Sequence, residues 1–242
     1  MNENKKWWDS LSIAWKVSFI KNLIFDIEKD LTDEEVLTKF NSSSYHIDDI
    51  INMEALSIDA SLEMDLSPVF KLKNLNDFYI EPPYTNNPDN VITDFIFIYP
   101  KQLRAKVKSL KFYMPGYFDG NLNSLKDFVN LREINFQFCY IHSLEGIQNL
   151  KKLEKVIIDQ GNFITDLSPL KDLKLKYLDV SFNEITDLSP LRTLPLEHLS
   201  IEGNNITNLS PLMGIPTLKE LEVDNYDLVL EQLSEHPNSD IF

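Results

Sequence analysis

The sequence predicts an α/β solenoid, a fold in which short repeated units stack side by side around one shared core. Three observations favour this fold. An Asp/Asn-Leu-Ser-Pro-Leu phrase begins at Asp166, Asp187 and Asn208, with a spacing of 21 residues. Apolar residues alternate at strand spacing ahead of each phrase, and the N-terminal stretch has helical periodicity instead. A unit of about 20 residues cannot bury its apolar face alone, so neighbouring units must stack.

Residues 1–46 are predicted to form a helical N-terminal cap, because a solenoid that ends without one would expose an apolar cross-section. A second helix is predicted to start at Thr32, which forms a capping box with Glu35. Before it, the apolar residues recur at intervals of three and four and predict one face of a single helix: Trp8, Leu11, Trp15, Phe19 and Leu23.

Residues 47–227 are predicted to form about eight repeats of the pattern L-x-x-L-x-L-x-x-N-x-I. Leu178 and Val180 alternate as in a strand with one buried face, and Asn183 follows them in the clearest copy. The asparagine is expected to end the strand by binding backbone groups in a tight bend. The units begin at Met53, Leu75, Val107, Leu131, Leu153, Leu175, Leu196 and Leu218.

The Ser-Pro pair in the repeated phrase predicts how each unit turns back. Serine favours the N-cap of a helix, and proline favours the first helical position because its missing N–H is not needed there. Each strand is therefore followed by a short helical or irregular segment, and the parallel strands face one concave side. Four pairs fit this pattern: Ser67-Pro68, Ser168-Pro169, Ser189-Pro190 and Ser210-Pro211.

These residues resemble the leucine-rich repeat family, and in particular the units of about 22 residues with an I-T-D-L-S-P-L phrase in internalin-like bacterial proteins. The resemblance implies a curved, right-handed superhelix with a parallel β-sheet on its concave side and a ladder of stacked asparagines. Ser61 and Cys139 occupy asparagine positions. Because the repeat pattern allows cysteine there, Cys139 is predicted to be structural.

Two segments depart from the regular repeat. An insertion at residues 81–91 is predicted to project from one edge of the stack and to present Tyr84. Residues 228–242 are predicted to form a C-terminal cap and tail, in which Leu228, Leu230 and Leu233 close the core and the chain frays from Glu235 onward.

Composition narrows the classes of partner. The chain has 242 residues, with 38 acidic and 23 basic side chains and a formal net charge of −15. This charge argues against nucleic acid and against an anionic membrane, since proteins that bind phosphate groups carry basic surfaces. The N-terminus lacks the pattern of a signal peptide, no apolar run reaches membrane-spanning length, and the single cysteine cannot form an internal disulfide. We therefore expect a cytoplasmic protein.

The sequence contains no recognisable catalytic motif. It has no G-x-G-x-x-G, P-loop or H-E-x-x-H motif and no pair of cysteines, and its four histidines are scattered among different units. A non-enzymatic protein without cofactor or metal is predicted. Among the histidines, His198 is the candidate for a contact or a pH response, because it falls on the predicted concave face.

The candidate binding surface consists of side chains at the second, fourth and sixth places after each opening residue, which point to the concave side. Many of them are acidic and several are tyrosines, which are enriched at interfaces. The predicted contact residues are Asp59, Asp77, Tyr79, Glu81, Tyr113, Glu133, Asp159, Tyr177, Asp179, His198, Glu202, Glu220, Glu222 and Asp224, with Tyr84 from the insertion.

The leading hypothesis is a non-catalytic protein–protein interaction scaffold that binds a basic protein partner through this face; the alternative for the face itself is charge that serves only solubility. A sharper alternative is an inhibitor or immunity protein against a basic nuclease or toxin, whose capture opposite charge would accelerate. A second alternative is an adhesin or surface protein, which requires export and anchor signals in a longer gene. An enzyme of the repeat-plus-ligase kind is disfavoured, since Cys139 lies within a repeat.

Overall fold

A computed structural model of the chain describes residues 2–24, 31–59, 67–75, 77–81, 104–112 and 120–238. It divides into two compact units, with the described elements up to the second strand in the N-terminal unit and those from the third strand onward in the C-terminal unit. Ser61, Tyr84, Tyr113 and the insertion at 81–91 fall outside the described residues, except for the backbone of Glu81. The boundaries predicted at residues 46 and 227 stay predictions.

The described part of the N-terminal unit begins with four helices, α1 (Glu3–Ser10), α2 (Ile13–Leu23), α3 (Asp33–Asn41) and α4 (Ile47–Ile51). The single helix predicted from Trp8 to Leu23 is wrong, because α1 ends before Leu11 and α2 begins after Ser12. The Ser12 hydroxyl accepts a hydrogen bond from the Trp15 amide at 3.3 Å and thereby caps α2. Trp8, Trp15 and Phe19 are buried as expected.

The predicted capping box at the start of α3 is confirmed. The Thr32 hydroxyl accepts from the Glu35 amide at 3.4 Å, and the Glu35 carboxylate accepts from the Thr32 amide at 2.8 Å. The Thr32 side chain and backbone both donate to the carboxylate and lower the pKa of Glu35. The capping box therefore binds two of the amides that have no partner within the helix.

Two parallel strands complete the N-terminal unit, β1 (Ala55–Asp59) and β2 (Asp77–Glu81), with a 3-10 turn at Ser67–Lys71. Asn22 of α2 covers the backbone of β1: its side chain accepts from the Ser57 amide and donates to the Ser57 carbonyl, both at 2.6 Å. The helix thus satisfies polar groups that would be open at a strand edge.

The C-terminal unit contains a parallel sheet of six strands in chain order, which confirms the predicted solenoid. Neighbouring strands pair residue for residue, for example Tyr177 with His198 and His198 with Glu220. Short 3-10 turns separate most of the strands. The strands are β3 (Ser109–Phe112), β4 (Glu133–Phe136), β5 (Lys155–Ile157), β6 (Tyr177–Asp179), β7 (His198–Ser200) and β8 (Glu220–Glu222).

The asparagine ladder implied by the family resemblance is present. Asn183 accepts from the Ile164 amide at 2.9 Å and donates to the carbonyls of Ile158 at 2.8 Å and Val180 at 3.0 Å. It therefore binds backbone of its own repeat and of the preceding one. Asn162 and Asn204 make the corresponding bonds, so the ladder links successive repeats through buried polar groups that would otherwise be unsatisfied.

Cys139 occupies the same ladder position and is fully buried. Its Sγ lies 3.6 Å from the carbonyl oxygen of Phe112 and 3.2 Å from that of Gln137. These two carbonyls correspond to ones that the ladder asparagines bind in later repeats. The thiol takes the place of an amide here, which confirms the structural role predicted for it.

The Asp/Asn-Leu-Ser-Pro-Leu phrase caps its turn differently from the prediction. Ser168 and Ser189 are the first residues of the 3-10 turns Ser168–Leu170 and Ser189–Leu191, and their side chains do not cap these turns. The acidic residue two places earlier accepts from the serine amide instead, Asp166 at 2.8 Å and Asp187 at 2.8 Å. The Ser189 hydroxyl and amide both donate to Asp187 and lower the pKa of its carboxyl.

The C-terminal end is closed by α5 (Tyr226–Gln232) and the residues that follow it. Leu233 is buried as predicted. Leu230 is 70% exposed, so the prediction that it helps to close the core is wrong. The prediction that the chain frays from Glu235 is wrong for the described residues: His236 is buried, and its Nε2 lies 3.1 Å from the Ile215 carbonyl oxygen. Asn238 adds a bond to the Leu218 carbonyl at 2.6 Å.

Candidate protein-binding surface

The concave face of the C-terminal unit carries nine of the predicted contact residues in three rows across the strands. The first row contains Glu133, Tyr177, His198 and Glu220, and the second contains Asp179 and Glu222. The third row follows the strand ends and contains Asp159, Glu202 and Asp224. The remaining predicted strand residues are Asp59, Asp77, Tyr79 and Glu81 of the N-terminal unit, where the backbone register pairs Asp59 with Glu81.

The first row is a continuous series of side-chain contacts. Lys155 Nζ lies 3.5 Å from Oε1 of Glu133 and 4.7 Å from the ring centroid of Tyr177. The Tyr177 ring stacks on His198, with 5.6 Å between centroids, and Nδ1 of His198 lies 2.7 Å from Oε2 of Glu220. Each charged group in this row has a partner, so the row stabilises pairing between strands.

The second and third rows carry five carboxylates among uncharged side chains, and Lys111 occupies the β3 position of the second row. Asp179 accepts from the Ser181 amide at 3.0 Å, and Asp224 accepts from the Gly203 amide at 2.7 Å. Within the part of the chain that the structure describes, no Lys, Arg or His lies within 4.0 Å of any carboxylate in these rows. We call Asp179, Glu202, Glu222 and Asp224 the acidic surface, and Asp159 lies buried beside it.

Asp159 differs from the exposed position that the strand pattern predicts, since only 7% of the residue is exposed. The repeat that opens at Leu153 carries one extra residue before Asn162, and Asp159 stands directly ahead of this extension. Its Oδ2 accepts from Gln137 at 3.2 Å, and its buried Oδ1 has no hydrogen-bond partner. Burial, together with the charge of Asp179, raises the pKa of the Asp159 carboxyl.

The pKa of the Tyr177 phenol is affected by the same negative environment. Burial raises its pKa first, and the neighbouring carboxylates Asp179, Glu222, Glu220 and Asp159 raise it further. An anionic phenolate is therefore disfavoured at this position. The ring remains a neutral aromatic surface in the middle of the acidic face.

The charges at the strand starts are arranged differently. Arg132 pairs with Glu154, and Glu197 lies 2.6 Å from Lys219 and 3.9 Å from Lys176. The bond from Lys219, reinforced by its charge, lowers the pKa of Glu197. Opposite charges thus alternate between neighbouring repeats along this edge, while the acidic surface has like charges side by side.

Sequence reasoning missed four aromatic side chains beside the acidic surface. The residues that precede and follow the ladder positions are strongly exposed: Phe138 at 45%, Tyr140 at 51%, Phe163 at 37% and Phe182 at 53%. We call them the aromatic strip. The signal that could have found them is the ladder itself, because residues on either side of a buried asparagine cannot also point into the core.

The described residues contain no group of three or more His, Cys, Asp or Glu side chains arranged to hold a metal ion. A search of the same residues finds no helix long and apolar enough to cross a membrane. His142 stacks on Phe163 with 5.0 Å between centroids, and His236 binds a backbone carbonyl. These two histidines are therefore engaged in packing and hydrogen bonding.

The parallel strands, the 3-10 turns and the buried asparagine ladder together define a leucine-rich repeat fold. The solved structures that it resembles include two internalins from Listeria monocytogenes. Internalin C2 is 22% identical, with a TM-score of 0.54 over 88% of this chain and 86% of that one. The internalin InlF is 18% identical, with a TM-score of 0.50 over 90% of this chain and 72% of that one.

A leucine-rich repeat protein from Leptospira interrogans is similar over 65% of this chain and 39% of its own, with 21% identity and a TM-score of 0.44. No protein-family model matches the chain, and no curated protein is significantly similar to it in sequence. The two internalin structures show that the fold is internalin-like.

Proposed function

We propose that the chain is a non-catalytic scaffold that binds a basic protein partner through its acidic surface. The observation that carries this proposal is the contrast between two sets of charges. At the strand starts, Glu154 and Glu197 are paired with cations. On the concave face, the four carboxylates of the acidic surface have no Lys, Arg or His within 4.0 Å among the described residues.

The spacing of the strands makes this arrangement costly for the isolated protein. Adjacent strands lie about 4.8 Å apart, so carboxylates at the same level of neighbouring repeats, such as Glu202 and Asp224, repel each other. A partner that places lysine or arginine side chains between them converts this repulsion into attraction. Opposite charge also steers the partner during encounter and raises its association rate.

Tyr177 suits the centre of such a contact. Tyr177 is half-buried and held between Lys155 and His198, so little side-chain entropy is lost when its exposed edge meets a partner. The family fold agrees with this use, since concave solenoid faces form extended binding surfaces. Cys139, the single thiol of the chain, is buried in the ladder and supports a role without catalysis.

The test compares two variants with the same change in net charge. The first is Glu202→Lys, Glu222→Lys and Asp224→Lys on the acidic surface, and the second is Glu145→Lys, Glu231→Lys and Glu235→Lys at exposed positions elsewhere. Each folded protein is immobilised and used to capture proteins from extract of its own organism at low and high salt.

We expect the wild type and the second variant to retain a common set of basic proteins that high salt releases, and the first variant to lose them. Association rates of a retained protein should fall at least tenfold for the first variant alone, since electrostatic steering changes rates by about 10-fold or more. Equal retention by both variants would exclude the acidic surface as the binding site.

A further inference from the structure

The aromatic strip lies on loops of three successive repeats, directly after β4, β5 and β6. Phe138 and Tyr140 flank Cys139, Phe163 follows Asn162, and Phe182 precedes Asn183. The ring centroids of Tyr140 and Phe163 are 6.0 Å apart. Large apolar side chains that cluster on a surface are uncommon in the absence of a binding role, whereas single exposed ones are ordinary.

The backbone at three of these residues is strained. Phe138 has a φ of 55°, Tyr140 a φ of 54° and Phe182 a φ of 54°, all in the left-handed region, which disfavours residues that carry a Cβ. Among the described residues, the equivalent position before a ladder asparagine holds glycine in two further repeats, Gly161 with a φ of 68° and Gly203 with a φ of 65°. Glycine is thus the residue that suits this bend, and phenylalanine stands there at a cost.

The rings of Phe138 and Phe182 are only partly covered by neighbouring residues. Each phenylalanine rests on the glycine of the next repeat: a Cβ added at Gly161 would lie 2.8 Å from Cδ1 of Phe138, and one added at Gly203 would lie 2.4 Å from Cδ1 of Phe182. The glycines therefore make room for the rings and fix their orientation. About half of each phenylalanine still faces solvent, so the strip is a preorganised aromatic surface.

The charge around the strip indicates what it accepts. The loops at residues 137–142, 159–165 and 181–186 contain no lysine or arginine, and they carry the exposed Glu184 and the buried Asp159. Aromatic faces attract cations, and arginine also stacks on them with its planar guanidinium. Neighbouring carboxylates strengthen this preference, while an acidic segment would be repelled.

We infer that the aromatic strip is a second contact region for the basic partner and takes its arginine or lysine side chains, together with adjacent apolar ones, over the rings of Phe138, Tyr140, Phe163 and Phe182. This inference rests on the proposed function for the identity of the partner as a basic protein. It differs in its residues and in its chemistry, because stacking on rings is less sensitive to salt than attraction between exposed charges.

The chain itself suggests the test variant. Replacing Phe138→Gly and Phe182→Gly together gives both loops the residue already present at Gly161 and Gly203, so the backbone strain is removed while the rings are lost. A second pair, Phe138→Asn and Phe182→Asn, keeps a side chain that tolerates the left-handed region. The control is Tyr226→Ala with Leu230→Ala, which removes two other exposed apolar side chains, 57% and 70% exposed.

The probe is a displayed library of short random peptides, selected on the full-length wild type after depletion on the double-glycine variant. We expect the enriched peptides to carry arginine or lysine next to an aromatic or aliphatic residue. They should bind the wild type and the control equally and both phenylalanine variants about tenfold more weakly, the size expected for a lost cation–π contact.

Three outcomes would overturn the inference: no enrichment, enriched peptides without cationic residues, or equal binding to the double-glycine variant. Loss of stability in both phenylalanine variants beyond that of the control would also overturn it, because the rings would then serve the fold. The triple-lysine variant of the acidic surface separates the two ideas. If it loses the basic partner while the phenylalanine variants keep it, the proposed function stands and this inference fails.

Discussion

Nδ1 of His198 lies 2.7 Å from Oε2 of Glu220 on the adjacent strand. From the sequence, His198 is an isolated histidine on a surface, but in the structure it is bound on one side by Glu220 and stacked on the other by Tyr177. The first row of the concave face is thus held by contacts between neighbouring strands.

A double-mutant cycle with His198→Ala and Glu220→Ala measures this contact. Both groups are partly exposed, so we expect a coupling energy of about 0.2–1 kcal/mol in urea unfolding. Glu222→Ala in place of Glu220→Ala is the control, because Glu222 lies on the same strand in a different row. Equal coupling to both glutamates would show that the effect is general electrostatics rather than the contact.

Replacing Leu178→Ala tests the predicted core. Leu178 is completely buried, and removing its side chain leaves a cavity, so the free energy of unfolding should fall by about 2–5 kcal/mol. Leu230→Ala makes the same change at an exposed position and should alter stability by less than about 0.5 kcal/mol. Similar effects at both positions would contradict the strand register.

The ladder is tested by Asn183→Ala. The change leaves the Ile164 amide and the Ile158 carbonyl without their partner, and each buried group left unsatisfied costs about 1–3 kcal/mol. Asn205→Ala removes an exposed asparagine next to a ladder residue and should be close to neutral. Denaturant unfolding of both variants measures the change in the free energy of unfolding. Equal decreases for the two variants would show that the ladder does not stabilise the fold.

Asp159 makes stability depend on pH. The folded state raises the pKa of this carboxyl above its ordinary value of 3.8, so it binds the proton more tightly than the unfolded chain does. Stability therefore falls as pH rises from about 3.8 through the raised pKa, and the penalty is complete above it. Asp159→Asn should stabilise the protein at neutral pH, and this gain should shrink as pH falls below that window.

Thermal unfolding across this pH range, with the exposed Asp172→Asn as control, measures the effect. The control removes the same charge from a solvated position, so it should change stability little at any pH. A gain for Asp159→Asn that is the same at acidic and neutral pH would show that the carboxyl titrates as in the unfolded chain.

The repeat architecture was predictable because its signals are local and recur. The residues at the places of Leu178, Val180 and Asn183 recur in several units. This recurrence predicts the same structure for each unit, a strand followed by a bend. The break at Ser12 was not predictable from spacing, since the apolar periodicity continues through it and only the hydrogen bond to Trp15 shows where α2 begins.

The surface was harder to predict than the core. The strand pattern predicts an exposed side chain at Asp159. The residue is nevertheless buried, at the point where its repeat is one residue longer. Phe138 and Phe182 could not be recognised from the sequence. A left-handed backbone is normally indicated by glycine, and here phenylalanine occupies that position. Both features depend on how one repeat meets the next, which a single unit does not encode.

The ladder also makes the length of the solenoid adjustable. Asn204 binds the Ile185 amide and the Val180 carbonyl of the preceding repeat, and Ile164 and Ile158 occupy the same places one repeat earlier. Excising residues 175–195 would join Lys174 to Leu196 and bring Asn204 to the partners that Asn183 now has. The chain is in this sense modular. A shortened protein would keep the hydrogen bonds of the ladder and lose the part of the concave face that one repeat contributes.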